Sequence, residues 1–460
     1  MKYPLVCVKR NTSIQDAIQQ IERSPFDRAF VLDEDGVYAG CAVVADLRRL
    51  LVSGARGEDP VGAYPMRHNY SLNGKSLKNP KQVRALIADM ELEGMRFLPV
   101  LNPEGKITEI LSIEDIGNMY SIAELETPAE RPAARRMLVV GGAGFLGSVL
   151  TRKLLARGFR VRVLDSFIYG RKSLDDLADV ENLDIVEGDL RNIHTCVDSL
   201  ADVDAVVLLA AIVGDPASKV RPTQTIETNV LAAQALAMAS KLHHIPRFIY
   251  ASTCSVYGVG DAILDECAPL NPVSLYARTK IESEKIILGM GDGYFCPTVL
   301  RMGTLYGFSP RMRFDLVVNT MSMKSHVNGG IQVFGGNQWR PLLGVEDAAE
   351  VYIRCLEAGL EDVGNQVFNV GSDSQNYRID DVARIISRAL GGVPISRDRS
   401  NLDSRDYRVS FAKLGKVLEY APGQTIEQSA LQIVEKLKSG AVKDPAHKIY
   451  YNHYFDSAEE

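Results

Sequence analysis

Tyr276 and Lys280 stand four residues apart in "YARTK", within a segment that reads as a helix. At that spacing two side chains share one helix face. A free tyrosine, with a pKa of about 10, is a poor base at neutral pH. A lysine ammonium beside it favours the phenolate and can also reach a cofactor ribose. Just upstream, "ASTCSVYG" occupies residues 251–258, and Thr253 falls at the end of a strand pattern. Its hydroxyl can hydrogen-bond the same substrate oxygen. A tyrosine base, a lysine and a threonine around a nicotinamide would take a hydroxyl proton as hydride leaves the adjoining carbon.

That chemistry needs a dinucleotide, and the chain carries a place for one. Gly141, Gly144 and Gly147 lie in "GGAGFLG", directly after the apolar "MLVV" and directly before a helical run. Glycines let the backbone approach a pyrophosphate, and a helix N-terminus offers free N–H groups and positive potential. Phe145 and Leu146 belong to the same turn. Asp165 ends the next strand, where a ribose-binding carboxylate belongs. Its negative charge disfavours the extra phosphate of NADP, so NAD is the expected cofactor. Arg171 and Lys172 nearby weigh the other way.

The elements around these motifs alternate. "LDIVEGDL", "VDAVVLLAA", "RFIYAST" and "CPTVLRMG" are further strand candidates separated by helical segments. The fold class expected from 137 onward is α/β, a Rossmann-type doubly wound parallel sheet. The first 120 residues follow a different plan, an α+β one. "VLDEDGVYAGCAVVADL" (31–47) lies over "VLNPEGKITEILSIEDI" (100–116) at an offset of 69 without a gap. Each copy reads strand, glycine turn, strand, helix. Helical segments precede both copies, "SIQDAIQQIERS" and "NPKQVRALIADMELEG". Units this short must pack together to bury their sheets. Residues 121–136, rich in Ala, Glu, Pro and Arg, read as a linker.

Composition limits the alternatives. The 460 residues are 46% hydrophobic and 24% charged, with a net charge of −6. That is ordinary globular usage and argues against a nucleic-acid or anionic-membrane surface. The longest apolar run, "AVVLLAAIVG" at 205–214, is far short of the roughly 20 residues a membrane span needs. Seven cysteines without CxxC spacing fit a reducing cytoplasm better than a disulfide framework. Seven scattered histidines form no HExxH pattern, so no metal is implied. The C-terminal "HKIYYNHYFD" is expected to pack on the surface rather than bind anything.

Taken together, residues 137 to about 440 resemble an extended short-chain dehydrogenase/reductase of the NAD-dependent epimerase/dehydratase type. The likeness rests on GxxGxxG, Asp165, "GDL" with Asp189, "LAA" at 209–211, Asn229 in "TNV", "STCSVYG" and YxxxK. It implies a Rossmann core at about 137–300, and a small substrate lobe mostly at about 301–440, within a catalytic domain 137–460. It implies NAD contacts at Gly141, Gly144, Phe145, Leu146, Gly147, Asp165, Asp189, Leu190, Ala210, Ala211, Asn229, Tyr276 and Lys280. Thr253, Tyr276 and Lys280 would be catalytic. Arg301, Asn319, Arg340 and Arg405 would hold the nucleotide sugar, with Arg340 and Arg405 as diphosphate contacts, since a guanidinium fork suits phosphate oxygens. Two positions depart from the family pattern. Thr304 stands where many members have Asn, and Gly344 where many have His or Tyr.

Residues 1–120 resemble a pair of CBS repeats, a module that often binds adenine nucleotides. The resemblance implies a site at Ser112 and Asp115; the first copy has Val43 before Asp46 and lacks the hydroxyl. A ligand-free docking or dimerisation module is the alternative. Both resemblances imply self-association, as a homodimer or tetramer.

Within that family the stretch after Thr253 discriminates. A 4,6-dehydratase must also remove a proton at carbon 5 and expel water at carbon 6. Family dehydratases place carboxylates beside the threonine for this; here Cys254 and Ser255 follow it. A nucleotide-sugar epimerase acting through oxidation at carbon 4, in surface-polysaccharide sugar biosynthesis, is therefore the leading expectation. Dehydratase, decarboxylase and reductase remain open, as does a catalytically silent NAD-binding sensor coupled to the CBS pair.

Overall fold

The computed structural model describes residues 7–23, 28–64, 71–73, 90, 97–112, 116, 136–398 and 405–453. Asp115, the linker up to residue 135 and most of the helical segment "NPKQVRALIADMELEG" lie outside them. The chain divides into two compact units, Met1–Arg131 and Pro132–Glu460.

In the first unit, β1 (Cys7–Lys9), β2 (Arg28–Leu32) and β3 (Tyr38–Val43) form one small sheet. β4 (Leu72–Asn73), β5 (Phe97–Leu101) and β6 (Ile107–Ser112) form another in the same order. β2 and β5, and β3 and β6, keep the offset of 69 residues at both ends. Each hairpin turns on a glycine with positive φ, Gly36 at 79° and Gly105 at 76°. Each turn is braced by an acidic or amide side chain: Asp33 accepts from Val37 N–H at 2.8 Å, Asn102 from Lys106 N–H at 2.8 Å. The two hairpins meet where Tyr38 N–H donates to the Gly105 carbonyl at 3.0 Å. Helix α1 (Ile14–Glu22) buries Ile14, Ala17 and Ile21, an i, i+3, i+7 stripe, and is capped by Ser13. Helix α2 (Val44–Val52) follows β3 directly.

The second unit is built on seven strands. β7 (Arg136–Val140), β8 (Arg160–Asp165), β9 (Leu183–Glu187), β10 (Ala205–Leu208) and β11 (Arg247–Thr253) come first along the chain. β12 (Cys296–Met302) and β13 (Gln366–Val370) complete the sheet. Its order is β13-β12-β11-β10-β7-β8-β9, and every neighbouring pair is parallel. The inner strands are buried on both faces, which is why Met137–Val140 and Ala205–Leu208 read as continuous apolar runs. Strand order reverses at β7, so the crevice between β7 and β10 is the place where such sheets take ligands.

The smaller lobe packs helices 317–327, 379–389 and 426–438 around Val318, Ile331, Val382, Ile386 and Ala430. Its boundary differs from the sequence expectation. Residues 345–370 return to the main core, because helix 345–357 packs on the sheet and β13 extends it. Among the described residues no helix is long and apolar enough to cross a membrane, and no group of three or more His, Cys, Asp or Glu could hold a metal.

Candidate active site

One cavity opens at the strand reversal. The turn after β7 and the start of helix α3 (Gly147–Ala156) form its floor. Gly141 has φ 89°, and a Cβ there would sit 2.7 Å from the Ala210 backbone nitrogen. A Cβ on Gly147 would lie 2.0 Å from the Gly141 carbonyl oxygen. This is a turn that only glycine fits, pressed against the neighbouring strand, with α3 rising from it. These features fit a dinucleotide pyrophosphate. Gly144, Phe145, Leu146, Leu190, Ala210 and Ala211 line the same space.

Asp165 lines it too and is tied down. Its Oδ2 accepts from Ala143 N–H at 2.9 Å and its Oδ1 from Phe167 N–H at 2.8 Å. Burial pushes its pKa up against those bonds. Asp189 also lines the cavity and pairs with Arg191 at 2.7 Å. Burial pushes its carboxyl up, but the hydrogen bonds and charge of Arg191 outweigh that and hold it low. Arg171 is drawn to Glu187 at 3.4 Å.

At the far end lie the proton-handling groups. Ser274 caps helix α4 (Leu275–Gly289) by accepting from Ala277 N–H at 3.2 Å, which sets Tyr276 in the first turn and Lys280 one turn later. Thr253 ends β11, and its hydroxyl accepts from Ser255 N–H at 3.1 Å. Burial raises the Tyr276 pKa; the charge of Arg313 and a hydrogen bond with Thr253 act against it. Lys280 donates to the Ala251 carbonyl at 2.8 Å, and its Nζ lies 4.7 Å from the Tyr250 ring centre and 6.0 Å from that of Tyr276. Burial pushes the Lys280 ammonium down to about 7. Arg313 acts on Tyr276 from the same cavity wall, in addition to the neighbouring Lys280.

Four sequence candidates do not line the cavity, and each is occupied elsewhere. Asn229 is 1% exposed and bridges strand end to helix: Oδ1 accepts from Ile212 N–H at 2.8 Å, while Nδ2 donates to the Ile212 carbonyl and to Thr279. Arg301 lies under the site, forked onto Glu284 at 2.7–3.2 Å and donating to Tyr257 at 3.0 Å. Asn319 joins Gly307 N–H to the Arg313 carbonyl. Arg340 donates to the backbone carbonyls of Trp339, at 2.7 Å, and Arg405, at 2.5 Å. Arg405 does line the cavity, with Nη1 3.6 Å from Asp215. Gly344 keeps its place because a Cβ would strike Gln424 at 2.2 Å.

Other residues at the site carry little or no signal in the sequence. Arg311, Arg313 and Asn452 line the cavity beside Thr304, the position that departs from the family pattern, so the C-terminal segment is not confined to the surface. The signal for the arginines was "SPRMRFD", two cations spaced two apart after a turn. Asn452 has no local signal; it is 141 residues from its partner Arg311. Ser112 is buried at the end of β6.

A sheet of this order, a glycine turn at its reversal and a Thr–Tyr–Lys group above it define a Rossmann-type dehydrogenase site. The family model for the NAD dependent epimerase/dehydratase family matches residues 137–371, and the chain belongs to that family. A CBS domain model matches residues 1–53. A Haloferax volcanii protein called low-salt glycan biosynthesis protein Agl12 is 30% identical, over 63% of this chain and 94% of its own. A dTDP-glucose 4,6-dehydratase of Streptomyces niveus is 25% identical, over 65% and 92%. A UDP-glucose 4-epimerase of Lactobacillus helveticus is 28% identical, over 52% and 76%. Among solved structures, MoeE5 in complex with UDP-glucuronic acid and NAD is 26% identical with a TM-score of 0.58, covering 66% of this chain and 99% of that one. The enzyme is thus NAD-dependent, of a family whose relatives here carry epimerase and dehydratase names.

Proposed function

We propose that the chain is a nucleotide-sugar epimerase that works by transient oxidation at carbon 4 of the sugar. One observation carries the choice over elimination. Of the two residues after Thr253, Cys254 is 1% exposed, outside the cavity wall, with its thiol donating to the Arg301 carbonyl at 3.1 Å. Burial raises its pKa further. Ser255 reaches the wall but shares its hydroxyl with Tyr407 at 3.5 Å. Neither supplies the acid–base pair that expulsion of water needs.

NAD supplies the hydride-accepting and hydride-returning chemistry when bound. The chain's own residues then have distinct tasks. Thr253 orients the carbon 4 hydroxyl. Tyr276 takes its proton and, once the keto-sugar has presented its other face, returns it to the carbon 4 oxygen. Lys280, anchored to the Ala251 carbonyl, holds the ribose side of the cofactor. Arg405 serves the substrate diphosphate from the cavity wall, beside Asp215. The place of the reaction is surface-polysaccharide sugar biosynthesis in the cytoplasm. The enzyme works as a homodimer or tetramer, with at most one adenine-nucleotide site per chain, near Ser112, in the CBS unit.

The test is the product. Purified enzyme is incubated with UDP-, dTDP-, GDP- and CDP-linked sugars and the mixture read by proton NMR. The expected product is the carbon 4 epimer at unchanged mass. A 4-keto-6-deoxy sugar formed with loss of water would overturn the reading.

A further inference from the structure

Two arginines in the cavity wall are unequally satisfied. Arg311 and Arg313 line the space that also holds Tyr276, Thr304 and Lys280, and they are 5% and 8% exposed. Arg313 lays Nε and Nη2 on Asp315 at 3.0 and 2.8 Å, which leaves the Nη1 edge outside that fork. Arg311 stacks over the Tyr169 ring at 3.8 Å and donates Nη2 to the Asn452 side-chain oxygen at 2.7 Å. Its Nε is buried and has no hydrogen-bond partner among the described residues. Asp315 acts on both guanidiniums, and Asp165 acts on Arg311 as well. Burial and the neighbouring Arg313 push Arg311 down to about 10. Asp215 lies 3.6 Å from Arg405. A buried guanidinium N–H without a partner is costly until an acceptor meets it.

Three anions could arrive. The cofactor diphosphate belongs on the glycine turn, at the N-terminus of α3. The substrate diphosphate and a charged group on the sugar remain. Arg313 lines the same cavity as Tyr276, the residue assigned to the carbon 4 oxygen, and its charge acts on that phenol. In a pyranose the diphosphate hangs from carbon 1, across the ring from carbon 4. The substituent on carbon 5 is bonded to the neighbouring atom. A cation beside Tyr276 therefore meets the carbon 5 substituent.

We propose that Arg313, with Arg311 behind it, is a carboxylate-reading subsite, and that the substrate is a nucleotide-linked uronic acid, a reading that rests on oxidation at carbon 4. A guanidinium edge offers two N–H groups in the plane of a carboxylate, where a hydroxymethyl group accepts only one and carries no charge. Asn452 is a positioning residue: it acts through Arg311.

Isothermal titration of the full NAD-loaded chain with UDP-glucuronate and with UDP-glucose tests it. The wild type binds the uronate at least about 10-fold more tightly, which corresponds to about 1.4 kcal/mol. Arg313→Gln abolishes that preference while UDP-glucose affinity changes little, and Arg313→Lys restores part of it. Asn452→Ala reduces the preference with unchanged NAD content. Equal weakening of both sugars by Arg313→Gln would mean that Arg313 reads the shared diphosphate, and would overturn the proposal. So would a wild type that prefers UDP-glucose, shows no preference or binds neither, a result that stands even if Arg313→Gln fails to fold. Release of water in the product assay would sink the epimerase reading by itself, without touching the binding preference.

Discussion

Arg301 and Glu284 form a buried ion pair beneath the catalytic helix, with Nη2 to Oε2 at 2.7 Å and side chains 6% and 4% exposed. Ser252 and Tyr257 join the same network. The pair connects β12 to α4 one turn beyond Lys280, so it holds the helix that carries Tyr276. Truncating one partner leaves the other charge buried, at a cost of about 3–5 kcal/mol. Arg301→Ala is expected to lower Tm markedly, as Glu284→Ala is. The double variant should cost less than the sum of the two singles. Thermal denaturation of all three checks this; a stable Arg301→Ala with a selectively raised KM would return Arg301 to the substrate site.

Tyr276→Phe removes one hydroxyl from a well-packed position. Turnover should fall by roughly 100-fold or more, with NAD content and Tm nearly unchanged. Thr253→Val should slow the same step less, because it removes a single hydrogen bond. Cys254→Ala should have only a modest effect on turnover, since its thiol points at a backbone carbonyl outside the cavity. A large loss of turnover in Cys254→Ala, with Tm maintained, would contradict that assignment.

Lys280 gives the stability a pH dependence of known sign. Its folded pKa of about 7 lies below its unfolded value of about 10.4. Between these values the unfolded chain binds more protons, so folding gains as pH rises. The gain is full above the unfolded value and is lost as pH falls to about 7. The Tm of wild type relative to Lys280→Met should therefore climb from pH 7 to pH 10. A difference that stays flat across this window would show that Lys280 is charged in the folded enzyme.

Asp165 braces the glycine turn through Ala143 N–H and places a negative charge at the ribose end of the cavity. NAD should bind in preference to NADP. Asp165→Ser should erode the preference and loosen the turn, with weaker NAD retention on gel filtration. Equal or tighter NADP binding by the wild type would contradict the assignment.

Local features are legible in the sequence by itself. The 69-residue repeat, the glycine turn, the strand-end Asp165, and the Tyr276–Lys280 spacing are relations between near neighbours or copies. Backbone sterics and helical period write them into the chain itself. Asn229, Arg301, Asn319 and Arg340 show the limit of such reading. Their residue types suit a cofactor or a phosphate, but packing turned each toward a partner 6 to 65 residues away. The same holds for the electrostatics of the site. Sequence spacing places Lys280 near Tyr276, but burial decides how far its ammonium persists, and the folded chain brings in Arg313 as the opposing influence. Asn452 meets Arg311 across 141 residues. No periodicity or motif encodes that contact; it exists because the last turns of the chain pack back onto the cavity wall.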